Sequence, residues 1–135
     1  MIQITDELLS SFTKMHDKFI SDWHEAMNTG DTSSLEVMTN EYYVAFFNDA
    51  KDKPMMFNRD ESISGMNESV NQLLGGKKVF NDRVIRLKDK ENAAVFYDLS
   101  IEFKAKTVAR FFTIENWQLV DEKWLIVSEI QQRII

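Results

Sequence analysis

The 135-residue sequence has no cysteine, one proline (Pro54) and four glycines. Without cysteine, disulfide frameworks, thiolate catalysis and cysteine-ligated metal sites are excluded. Basic residues are also in short supply. Sixteen Lys and Arg against 22 Asp and Glu leave a formal charge of -6, which repels phosphate backbones and anionic lipid at long range. Nucleic acid is therefore not expected as a partner. No window approaches the ~18 apolar residues of a membrane span, and the first dozen residues lack a basic leader followed by an apolar block. A soluble, cytoplasmic protein without a membrane partner is the expectation. There are no low-complexity segments and no internal repeat. What is present is ordinary for a globular chain, 44% hydrophobic and 28% charged. At this length one domain, 1–135, is expected, removing roughly two-thirds of its unfolded surface from water.

Thr5 or Asp6 can cap a first helix, in which Leu8, Leu9, Phe12, Met15, Phe19, Ile20, Trp23 and Met27 recur at steps of three and four. Gly30 stands where a left-handed residue would end it. Asp31 can then cap a short second helix carrying Leu35, Val37 and Met38, so the pause at 28–31 reads as an elbow between two packed helices. Tyr42 to Phe47 is aromatic and β-branched enough to predict a strand. Asn48 to Asn58 reads as a loop with turn-prone Asn48-Asp49 and Lys51-Asp52 pairs, its Met55-Met56-Phe57 tucked beneath it or forming a lid. A third helix runs from Asn58 or Asp60 through Ile63, Met66, Val70, Leu73 and Leu74 to Gly75-Gly76.

Beyond Gly76 the period changes, predicting four long strands at about 78–88, 92–104, 107–120 and 123–134. Tight turns at Ala105-Lys106 and Asp121-Glu122 would set Phe96 opposite Glu115 and Glu115 opposite Ser128. Both sheet faces are rich in apolar residues, so each should be covered. Three amphipathic helices can cover one face, and a second copy of the sheet, in a two-fold homodimer, the other.

This order resembles the nuclear transport factor 2-like superfamily over essentially the whole chain. Trp23, Asn28, Gly30-Asp31, Leu35, Met38 and Tyr43-Val44, with Asp121, Lys123, Trp124, Ile126 and Val127 near the end, are similar to motifs of its SnoaL-like and DUF4440-like bacterial members. Glu122 stands where that hairpin often has glycine. The resemblance implies an α+β cone of NTF2-like (cystatin-like) type, in which helices pack on a curved antiparallel sheet around a pocket and members are frequently homodimers. The same cone hosts ketosteroid isomerases, dehydratases, polyketide cyclases and pure binding or assembly modules, so the fold leaves function open.

Acid–base chemistry in such a pocket needs a carboxylate or histidine shifted by apolar surroundings. Asp98 and Glu115, beside Phe96, Trp117 and Trp124 in the register above, form one candidate constellation, with Glu129 and Tyr97 on the other face as its rival. Solvated carboxylates paired with Arg110 or Lys104 are the plain alternative. His16 falls inside the apolar stripe of the first helix, either as a hydrogen-bonded core residue or as a partner in catalysis. His16 and His24 lack metal-ligand spacing, and no metal or cofactor is expected. Trp23, Tyr42 and Tyr43 can line a pocket mouth for a flat apolar ligand, or serve as core. Gly75-Gly76-Lys77-Lys78 lacks the phosphate-loop frame and a following helix, and reads as a helix stop. Three functions remain: binding of a small apolar organic molecule, a cofactor-independent isomerase, cyclase or dehydratase using Asp98 or Glu115 as base, or a dimeric assembly module.

Overall fold

The computed structural model describes residues 5–48 and 53–134. The first helix, α1, spans Asp6–Thr29. Thr5 caps it by accepting from the Leu8 amide at 3.1 Å, and Gly30 ends it at φ 84° with its N–H on the Ala26 carbonyl. The expected second helix shrinks to a 3-10 turn, Ser33–Leu35. Sheet pairing is the reason: the Val37 carbonyl already accepts from the Ile126 amide at 2.8 Å, so the chain turns extended before a helix can grow. The elbow is thus between a helix and a strand.

That strand, β1 (Met38–Phe47), is followed by β2 (Met55–Asn58), which pairs with it antiparallel where a loop was expected. Four residues are too few to show a period. The turn pairs expected at 48–49 and 51–52 involve residues 49–52, outside the described residues. The second long helix, α2 (Arg59–Gln72), starts in a capping box: Asn58 Oδ1 accepts from the Glu61 amide and Glu61 Oε1 from the Asn58 amide. The remaining strands fall close to their predicted spans: β3 (Lys77–Leu87), β4 (Asn92–Phe103), β5 (Lys106–Val120) and β6 (Lys123–Arg133). They form one curved, unclosed sheet in the order β2-β1-β6-β5-β4-β3, with β1 parallel to β6.

The register differs from expectation, and the cause is local. The β4–β5 turn is centred on Lys104-Ala105, both at positive φ as a primed turn requires, and Val108 is bulged. The β5–β6 turn is at Asp121-Glu122 as expected, but a bulge at Val127 slips the partner by one. Glu115 therefore lies between Val95 and Glu129, not between Phe96 and Ser128. Because side chains alternate, this one-residue slip decides which residues face the helices.

The face under α1 and α2 is the core, built on Val95, Tyr97, Leu99, Trp117 and Ile126 against Phe12 and Phe19. Two helices cover it, not three. The other face carries an apolar row crossing all six strands: Val84, Phe96, Ile114, Ile130, Ala45 and Met56 are successive cross-strand partners. Val84, Ile130 and Met56 in that row are exposed.

Two glycines separate backbone fit from helix propensity. A Cβ on Gly76 would sit 2.8 Å from the Glu102 carbonyl oxygen and 2.9 Å from that of Leu73, whereas one on Gly65 meets nothing within 4 Å. In denaturant unfolding, Gly76→Ala is expected to lose about 1–3 kcal/mol, and Gly65→Ala, in the interior of α2, to gain about 0.5–1 kcal/mol. Equal midpoints for the two variants would contradict this packing.

Candidate functional site

Helical spacing puts Phe12, His16, Phe19 and Trp23 on the inner side of α1, while alternation along β5 turns Thr113, Glu115 and Trp117 to meet them. His16 is fully buried and Glu115 is 1% exposed. The Glu115 carboxylate is satisfied on both oxygens. Oε1 accepts from His16 Nε2 at 2.8 Å and from Trp117 Nε1 at 2.9 Å, and Oε2 accepts from the Tyr97 hydroxyl. The Arg83 guanidinium, which can only donate, lies 3.0 Å from His16 Nδ1. Nδ1 must therefore accept, leaving a neutral imidazole with its hydrogen on Nε2, directed at Glu115. Arg83 is itself held by Asp17 Oδ1 at 2.8 Å. Phe19 and Phe12 meet Trp117 edge-on at 5.1 and 6.1 Å, closing the cluster to water.

Next to this cluster a cavity of about 260 Å³ lies between α1, α2, β1 and β6, walled by Phe19, Trp23, Val44, Phe46, Met66 and Ile126 among others. Glu129 reaches it from β6, where it is the cross-strand partner of Glu115. Burial, and then the Glu115 charge beside it, push the Glu129 carboxyl up to about 7, against the pull of Lys78 and of its hydrogen bond from Gln131 at 3.1 Å. Lys78, from β3, lines the same cavity with its Nζ 3.3 Å from the centre of the Trp23 ring. Burial pushes its ammonium down to about 8, opposed by Glu129 and Glu115. The Tyr42 phenol, against Glu129 and Ser62, and the Tyr97 phenol are both held above their ordinary range, by burial first and the carboxylates second. Both phenols thus stay neutral donors. A carboxyl that ionises near neutral pH in an apolar space, beside an O–H donor, can take or give a proton. No group of three or more His, Asp or Glu among the described residues could hold a metal ion.

The sequence candidates divide between two faces. His16 and Glu115 are bonded together inside, with Trp117 joined to them and Trp124 packed on Phe12 at 4.9 Å. Trp23 lines the cavity. Asp98 is on the outer face, ion-paired to Arg110, with Phe96 on that same side and Tyr43 exposed at the surface. Inside stand both members of the rival pair, Tyr97 and Glu129. Of the Met55-Met56-Phe57 segment, Phe57 touches the cavity while the two methionines are exposed. Lys78 went unnoticed as a site residue because it was read as the junction of a helix stop and a strand start, with no face assigned to it. A signal existed in its phase, since Lys78 precedes the inward Phe80 by two on a strand.

No family model and no curated protein sequence matches the chain. Solved structures do. An NTF2-like protein from Cytophaga hutchinsonii superposes with a TM-score of 0.66 at 17% identity, over 90% of this chain and 98% of that one. A domain with a cystatin-like fold from Nostoc punctiforme gives 0.70 at 13% identity, over 98% of this chain and 80% of the other. A candidate scytalone dehydratase from Novosphingobium aromaticivorans gives 0.69 at 10% identity, over 97% and 89%. The fold is of the NTF2-like, cystatin-like type. Glu129 and Lys78 both line the cavity between the helices and the sheet. Among the described residues no helix is long and apolar enough to cross a membrane.

The Glu129 shift has a signed consequence for stability. Folded, the carboxyl keeps its proton up to about 7, against 4.5 for the ordinary group, so the folded state binds the extra proton between those values. Its contribution is present below 4.5 and is lost as pH rises through about 7. Glu129→Gln, which cannot ionise, is expected to match the parent in mild acid and to exceed its stability by about 1–3 kcal/mol in mild alkali. Urea midpoints across that range check it, and a difference that does not vary with pH would contradict the shift.

Proposed function

We propose that the protein binds a small, mostly apolar organic molecule in the cavity beneath α1 and α2. The observation that carries this reading is the cavity itself, aromatic-walled, with a few converging polar groups. Its volume of about 260 Å³ lies just under the ~300–1,000 Å³ of drug-sized sites, which suits a single-ring compound better than a steroid. We read the protein as cytoplasmic, in keeping with a cysteine-free chain, and its Trp23 and Trp124 motifs as SnoaL-like or DUF4440-like.

Glu129 favours a second reading, a cofactor-independent isomerase, cyclase or dehydratase. In it Glu129 is the general base, with Tyr42 as hydrogen-bond donor to the developing anion. Asp98 faces away from the cavity, and Glu115 already accepts from three donors, so neither suits that role. The Glu115–His16 pair instead positions Tyr97 and supplies the charge that, after burial, raises the Glu129 carboxyl. The outer apolar row supports a homodimer through the sheet face, since its exposed members Val84, Ile130 and Met56 are the kind of surface that association buries.

Native mass spectrometry of protein from its own host tests ligand and dimer together. A dimer carrying a small-molecule adduct is expected. Gly65→Phe, whose side chain enters at the cavity wall, should lose the adduct and keep the dimer. Ile114→Lys should give a folded monomer. A bare chain from the parent protein would contradict the binding reading, and an unchanged mass for Ile114→Lys the dimer face.

A further inference from the structure

The cavity reading leaves open what class of molecule is taken, and Lys78 bears on it. The side chain leaves β3 two residues after Gly76, where Gly76 allows β3 to start hard against the Glu102 carbonyl. In phase with Phe80, it points to the inner face and lines both the cavity and the groove between α1 and β3. Its backbone carbonyl is held by His24 Nε2 at 3.2 Å, and its Nζ sits over Trp23. The strand start is thus fixed at both ends of the residue, and the amine is delivered to one place.

No carboxylate among the described residues reaches ion-pair distance of Nζ. The charged and titratable groups around it are Glu129 from β6, Glu115 from β5, Tyr42 from β1 and, at the cavity wall, Glu61 from α2, with Asp17 and His24 of α1 and Lys77 and Arg83 of β3 along the groove. An ammonium in such a place is poorly hydrated and gives up its proton more readily than one in water, which is what makes a lysine a nucleophile. Burial lowers Lys78 accordingly, to about 8. Lys77, the preceding residue, is exposed to solvent.

We propose that Lys78 forms an imine with a small apolar aldehyde or ketone held in the cavity, with Glu129 moving the protons. This rests on the reading of the cavity as a small-molecule site. The amine lone pair adds to the carbonyl carbon, and the carbonyl oxygen takes a proton from the Glu129 carboxyl. The new N–C ammonium returns a proton to Glu129, leaving a neutral carbinolamine. Glu129 then protonates the carbinolamine hydroxyl, which departs as water while the nitrogen lone pair closes the C=N bond. The products are an iminium on Lys78, a Glu129 carboxylate beside it, and one water. No oxidant or reductant is needed.

Pentane-2,4-dione is a suitable probe, because its condensation product with an amine is a stable enaminone absorbing in the near ultraviolet. One equivalent of enaminone is expected, mapped by peptide mass to Lys78 and formed about tenfold or more faster than at Lys77. It should be lost in Lys78→Met, with circular dichroism confirming that this variant folds. Labelling of Lys78 no faster than Lys77 would overturn the assignment. Occupancy is read separately with p-cresol, which has no carbonyl, by ligand-observed NMR. Binding of p-cresol without enaminone overturns the imine and leaves the cavity reading standing, whereas failure of both overturns both.

Discussion

A buried carboxylate, Glu115, organises this molecule. Taking a carboxylate out of water costs several kcal/mol unless its lone pairs are met, and here three donors from three elements meet them: His16 of α1, Tyr97 of β4 and Trp117 of β5. Arg83 of β3 adds a fourth element by fixing the His16 tautomer. Helix and sheet are therefore joined by a polar lock inside an aromatic shell. Such a lock admits one arrangement, since removing any partner strands a charge or a donor in the core.

The same charge shapes the site. Glu129 faces Glu115 directly across the β5–β6 ladder, and like charges so placed disfavour each other. With burial acting in the same direction, the proton stays on Glu129 to about 7. One carboxyl is satisfied and structural, while its neighbour is left to titrate in the cavity. Environment separates the roles of two identical side chains.

Much of this was legible in the sequence. The apolar stripe of α1, its Gly30 stop, the Asn58 start of α2 and the four long strands all follow from local patterns, and so does the resemblance in fold. His16 and Glu115 were both visible as candidates. Their bonding to each other was not, because they lie 99 residues apart in sequence and meet only when the sheet register is right. That register depends on bulges at Val108 and Val127, which leave no local signature. The slip turned Asp98 outward to Arg110 and Glu129 inward to the cavity. The 3-10 turn at Ser33–Leu35 was missed because pairing with the distant β6 overrode local propensity, and β2 because four residues are too few to show a period.

The claim on which the account turns is that Glu129 ionises near neutrality because it is buried beside a charged Glu115. Carbon-13 NMR of the glutamate side-chain carboxyls, followed across the pH range, reads that proton directly. The account predicts a Glu129 midpoint at about 7, moving downward when Glu115→Gln removes the neighbouring charge. A midpoint at the ordinary 4.5 in both proteins would contradict it.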